Sequence, residues 1–186
     1  AVDVIQSLVN APDDAEIDPR LVEAYRKLIS DADLDQALVA KMLQLPSEAY
    51  LIELTDKADV PAIHRAREAV LRHLAGALKG ELLGCYQRHQ GSGPYEVTPE
   101  AIARRSLRNT ALAWLLMIDD EEGRSLAVSQ LNAADNMTDR MGALRALVNS
   151  GFESDRQEAL DDFYNRFQDD PQVVEQWFSV QAASDQ

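Results

Sequence analysis

Few residues of this chain have the type and spacing to do chemistry: three histidines, one cysteine and a short acidic run. His64 and His73 stand nine positions apart, so they do not share a helix face as zinc ligands at i and i+4 do. Neither belongs to an H-E-x-x-H sequence. His89 lies at a predicted helix end, where a cation suits the negative pole of the helix dipole. All three read as structural or surface residues. Cys85 has only Arg88 and His89 as basic neighbours and reads as a buried thiol, not a nucleophile. A lone cysteine forms no internal disulfide, so nothing here calls for an oxidising compartment. Asp119-Asp120-Glu121-Glu122 lacks the oxygen-ligand spacing of an EF-hand and reads as the acidic start of a helix. Asn136-Met137-Thr138 matches a glycosylation acceptor, with nothing else pointing to secretion. No glycine-rich phosphate loop follows a strand. The residues therefore assign no catalytic, metal or substrate-binding residue.

The elements that hold these residues read as helices almost throughout. Asp18-Pro19 pairs an N-cap with proline at the first helical position and opens a helix with Leu21, Tyr25, Leu28 and Ile29 inward. Asp33 is the expected cap of the next, whose apolar face is Leu34, Leu38, Met42 and Leu45. Pro46-Ser47 opens a short helix. Asp59-Val60-Pro61 starts what reads as the longest helix, running to about Gln90 with Ile63, Val70, Leu71, Leu74, Leu78, Leu82 and Tyr86 on one side. Gly76, Gly80 and Gly84 recur along it and predict a groove where a neighbouring helix packs closely. Gln90 to Pro94 is a loop. Thr98-Pro99 starts a helix that ends apolar all round, Ala111 to Ile118, and so must be buried on every side. Thr138 is the expected cap of a helix bearing Met137, Met141, Leu144 and Val148, ended by Gly151 in a left-handed conformation. Ser154 and Pro171 open the last two. Trp114, Phe163, Phe167, Trp177 and Phe178 recur at helical spacing as core residues.

This predicts an all-α fold: an irregular α-α superhelix, solenoid-like, of about ten antiparallel-paired helices, over residues 1–186 as a single helical domain. Forty-six per cent hydrophobic residues suffice for a core, and sparse glycine and proline fit long elements. The net charge of −14 argues against nucleic acid as a partner. The charge is uneven: residues 61–110 carry four acids and eight bases. Arg65, Arg67, Arg72, Arg104, Arg105 and Arg108 in that stretch are the candidates for contact with an acidic neighbouring surface. The longest apolar run is far shorter than the roughly 18 residues of a membrane span, and no signal segment opens the chain, so a cytoplasmic location is expected. The initial Ala1 hints at an excised piece.

Five ordered blocks carry a resemblance. They are Leu43-Gln44-Leu45-Pro46-Ser47-Glu48; Arg67-Glu68-Ala69-Val70 with Leu74-Ala75; Arg105-Ser106-Leu107-Arg108-Asn109 with Ala111-Leu112; Ala134-Asp135-Asn136-Met137-Thr138-Asp139 with Ala143-Leu144; and Gln176-Trp177-Phe178-Ser179-Val180-Gln181-Ala182. In this order the chain, from about residue 20 onward, resembles the C-terminal helical domain of the bacterial aminopeptidase N family. These are zinc metallopeptidases of the H-E-x-x-H type that remove residues from peptide N-termini. The resemblance implies that zinc, the general base and the substrate's amine are held by upstream domains. It implies no cofactor in this segment, and the other domains of the parent polypeptide as its partners. The helical domain would cap the catalytic domain and enclose the cavity that admits peptides. It would also continue past Ser184-Asp185-Gln186, making this chain an N-terminal part of it. Two other readings are a free-standing helical-repeat scaffold for protein interaction and a small helical enzyme whose groups meet from separate helices. Neither draws on a motif in the chain.

Overall fold

Eleven helices run through the residues that the computed structural model describes, 1–10, 16–55, 57–91 and 93–184. They are α1 (Val2–Asn10), α2 (Pro19–Ser30), α3 (Gln36–Met42), α4 (Glu48–Glu53), α5 (Val60–Ala77), α6 (Lys79–Arg88), α7 (Pro99–Leu116), α8 (Glu121–Ala133), α9 (Met137–Val148), α10 (Glu153–Phe167) and α11 (Pro171–Ala182). The described residues contain no strand. Ser92 of the predicted loop and Asp185-Gln186 lie outside the described residues.

Side-chain caps set most of the starts. Asp18, Ser47, Asp59, Thr98, Asp120 and Asp170 each accept from a backbone N–H in the first turn of α2, α4, α5, α7, α8 and α11. Each such bond satisfies a donor that no carbonyl inside the helix can reach. Three starts differ from expectation. Asp35 caps α3 in place of Asp33, and Asn136 caps α9 in place of Thr138, each accepting from the N–H three residues on. The α10 start has no side-chain cap, and Glu153 precedes Ser154 into the helix.

The predicted long helix breaks at Leu78, whose backbone (φ −114°, ψ 15°) leaves the helical range. Leu78 is fully buried, and Gly76 and Gly80 flank it. Glycine costs about 1 kcal/mol relative to Ala inside a helix, so this stretch is a cheap place to bend and drive Leu78 into the core. The expected glycine groove does not form. A Cβ placed on Gly76 or Gly80 would meet no atom within 4 Å. The close approaches fall elsewhere: a Cβ on Gly123 would lie 2.9 Å from Leu115 Cβ, and one on Gly142 would lie 2.6 Å from Asn109 Cγ. Alanine substitution should therefore have opposite signs at two helical glycines. Gly76→Ala is expected to raise stability by up to ~1 kcal/mol, and Gly142→Ala to lower it by about 1–3 kcal/mol through overpacking. Thermal melts of the two variants check both signs.

Packing centres on α7, which touches α3, α5, α6, α8 and α9. The chain then winds on through neighbours, α8 on α9, α9 on α10 and α10 on α11, as a superhelix does. One apolar cluster runs through it, with Val70, Leu74, Leu78, Leu82, Leu112, Leu115, Leu116, Leu144 and Leu147 all at most 1% exposed. The expected apolar faces of α5, α6 and α9 are largely buried here, but the end of α7 is not buried on every side as expected: Ala113, Met117 and Ile118 are half-buried, and Leu71 and Met137 likewise. The face assigned to α3 is rotated: Leu38 and Met42 are exposed, and Val39, Ala40 and Leu43 are buried instead. Phe178, expected in the core, is 60% exposed. The left-handed residue is Asp119 (φ 50°), not Gly151. Gly151 is needed for a different reason, since its N–H donates to Asp119 Oδ1 at 2.7 Å and a Cβ there would collide with that carboxylate.

Candidate functional site

Two faces of α7 line two cavities. Ile102, Ser106, Asn109, Ala113 and Met117, spaced four, three, four and four apart, form one helical stripe. With residues of α5 and α9 they line a concave space of about 750 Å³. Around it, His64 Nδ1 lies 2.8 Å from Glu48 Oε1, and Arg67 Nε donates to the Pro46 carbonyl at 2.9 Å. Arg72 reaches further along α5, its Nη1 donating to the Met117 carbonyl at 2.6 Å and its Nε to Glu68 at 3.0 Å. His64, Arg67, Glu68 and Arg72 are thus engaged with one another, with Glu48 or with backbone carbonyls, and Arg145 is an exposed cation on the same lining.

The other face of α7 presents Arg104, Arg105 and Arg108 to a second cavity of about 340 Å³, shared with Tyr86, Tyr95 and Asp139. The six arginines of the basic stretch therefore divide. Three line the second cavity, Arg67 lines the first with Arg72 beside it, and Arg65 is exposed on α5 away from both.

Between the cavities lies a polar network that the sequence did not disclose. Asp139 Oδ2 is 2.7 Å from Arg108 Nη2 and accepts from Asn136 Nδ2 at 2.9 Å. Its Oδ1 accepts from Asn109 Nδ2 at 3.2 Å. Gln130 Nε2 donates to Asn109 Oδ1 at 2.7 Å and to the Asp139 carbonyl at 2.8 Å, and Gln130 Oε1 accepts from Tyr86 at 2.9 Å. Four helices, α6 to α9, are joined through buried groups whose hydrogen-bonding capacity is largely used, the arrangement in which buried polar residues fix one packing. Asn136, which matches a glycosylation acceptor, is committed to this network and to the α9 cap. Two of the resembling blocks, Arg105–Asn109 and Ala134–Asp139, supply Arg108, Asn109, Asn136 and Asp139 to it, and Tyr86 and Gln130 come from outside them.

The other candidates have structural roles. Cys85 is fully buried, and burial pushes its thiol up to about 11. His89 Nδ1, 3.7 Å from the thiol, faces the Cys85 carbonyl at 2.7 Å and gives its proton there, so it is no base for the sulfur. Asp120 of the acidic run caps α8 and pairs with Lys79. Trp177 donates to the Leu160 carbonyl at 2.9 Å and packs its ring at a tilt against Tyr164 and edge-on against Phe178. Among the described residues no group of three or more His, Cys, Asp or Glu is placed to hold a metal ion. No described helix is long and apolar enough to cross a membrane.

The model of a domain of unknown function, DUF3458_C, described as ARM repeats, matches residues 1–186, the whole sequence. The chain belongs to this family. The DUF3458_C chain is 35% identical over 164 residues to aminopeptidase N of Escherichia coli, covering 88% of itself and 19% of that protein. It is 30% identical over 178 residues to aminopeptidase N of Caulobacter vibrioides, covering 96% of itself and 20% of the relative. It is also similar to the crystal structure of Legionella pneumophila aminopeptidase A in complex with aspartic acid. There the TM-score is 0.84 with 28% identity, and the match covers all of this chain and 22% of that one. The chain thus spans about a fifth of the length of the curated relatives it matches. The resemblance to aminopeptidase N and the all-α superhelix are both upheld.

Proposed function

We propose that the DUF3458_C chain is a non-catalytic helical segment of a bacterial aminopeptidase N, packed against the catalytic domain and helping to enclose the cavity that peptides enter. The observation that carries this is the match to two aminopeptidases N over about a fifth of their length, on a fold in which His64, His89 and Cys85 are engaged structurally. The parent would be a zinc metallopeptidase, cytoplasmic, removing N-terminal residues from peptides. Among the described residues no three donor groups are placed to hold zinc. The chain would form the N-terminal part of a larger helical domain. Of the six arginines, Arg65, Arg67 and Arg72 on α5 would face acidic surfaces of the same polypeptide, while Arg104, Arg105 and Arg108 line the second cavity. Closing a site in this way holds substrate away from bulk water and keeps folded proteins out.

The pure chain is expected to release no chromophore from an aminoacyl chromogenic substrate, with or without added zinc, and to retain no stoichiometric zinc after gel filtration. Robust turnover by the chain alone would contradict the reading.

A further inference from the structure

Arg105 is 5% exposed, yet its Nε has no hydrogen-bond partner among the described residues. The Nε atoms of Arg104 and Arg108 are buried and unpartnered in the same way. All three side chains line the cavity of about 340 Å³. Its acids are Asp135 and Asp139. Asp139 is taken by Arg108, Asn109 and Asn136, and Asp135 by Asn136. No described carboxylate pairs with Arg104 or Arg105, in a chain whose net charge is −14. The guanidinium of Arg105 lies 4.7 Å from the Tyr95 ring, which holds its plane but supplies no negative charge.

A guanidinium does not shed its proton in a protein, so a buried one lacking an anion stays uncompensated. Its planar fork matches two oxygens of a phosphate or carboxylate, with shorter and stronger bonds than neutral groups make. We propose that this cavity binds a small free oxyanion, of phosphate or carboxylate chemistry, between Arg104 and Arg105, with Arg108 held at its edge by Asp139. At about 340 Å³ the cavity is near the lower end of the sizes that hold small molecules (roughly 300–1,000 Å³), which suits a small anion. This inference is independent of the aminopeptidase reading and survives its failure.

Inorganic phosphate is the probe. Titration calorimetry on the chain is expected to show saturable binding of one phosphate, with a matching rise in melting temperature as phosphate increases. Arg105→Gln should weaken binding at least tenfold. Arg104→Gln, at a half-buried position that folding tolerates more readily, should weaken it severalfold. Lys41→Gln, an exposed change on α3, should leave it unaltered. Absence of saturable binding, or equal loss in all three variants, would overturn the proposal. So would loss of phosphate binding when the chain is measured within its parent polypeptide, since an acidic side chain of another domain would then own the cavity.

Discussion

Asp139→Ala is expected to lower the stability of the chain by about 3–5 kcal/mol, the range for breaking one partner out of a buried ion pair. For a chain of this length that is a fall in melting temperature on the order of 10 °C. The side chains of Asp139 and Arg108 are 8% and 12% exposed, so removing the carboxylate leaves a charge with little water to replace it. Asn109 and Asn136 lose an acceptor in the same step. Most of the cost is the stranded arginine, so a second change should recover part of it. Arg108→Met combined with Asp139→Ala is expected to cost clearly less than the sum of the two single changes. Urea unfolding followed by circular dichroism measures all three. A loss below about 1 kcal/mol for Asp139→Ala would place the pair among solvated surface bridges.

Leu115→Ala is the other large effect, expected at about 2–5 kcal/mol. Leu115 is 0% exposed on α7, which touches five other helices. The close approach of Gly123 fixes α8 against the Leu115 Cβ, which alanine retains, so α8 has little reason to move inward and fill the space. The cavity term is then kept nearly whole. Leu38→Ala, at 53% exposure, is the matched control and should stay within about 0.5 kcal/mol of the parent sequence. Equal losses at the two positions would contradict the assigned core.

What was legible in the sequence was local. Asp18-Pro19, Asp59 and Thr98-Pro99 announce helix starts because a cap acts within three residues, and the α5 to α7 faces announce themselves by period. The break at Leu78 was not legible, because the apolar positions from Ile63 to Tyr86 recur at helical spacing straight through it. Only the pull of the core decides that Leu78 leaves the helix. The same reason hid the Asn109–Asp139 network, whose members stand 30 positions apart and look like ordinary surface polars one at a time. The glycines misled through their regularity: Gly76 and Gly80 face solvent, and the isolated Gly123 and Gly142 carry close contacts between helices. The basic stretch was visible as charge. Its division between two faces of α7 and α5 needed the fold, and the burial of Arg105 runs against every expectation for an arginine in an acidic chain.

On the proposed function, this superhelix completes a peptidase without doing its chemistry. The most direct test is peptide turnover by the rest of the parent polypeptide, measured with and without the DUF3458_C chain added in trans. The account predicts no turnover by the chain alone, impaired turnover by the remainder, and saturable recovery as the chain is titrated in. Full activity of the remainder, unchanged by the chain, would contradict it.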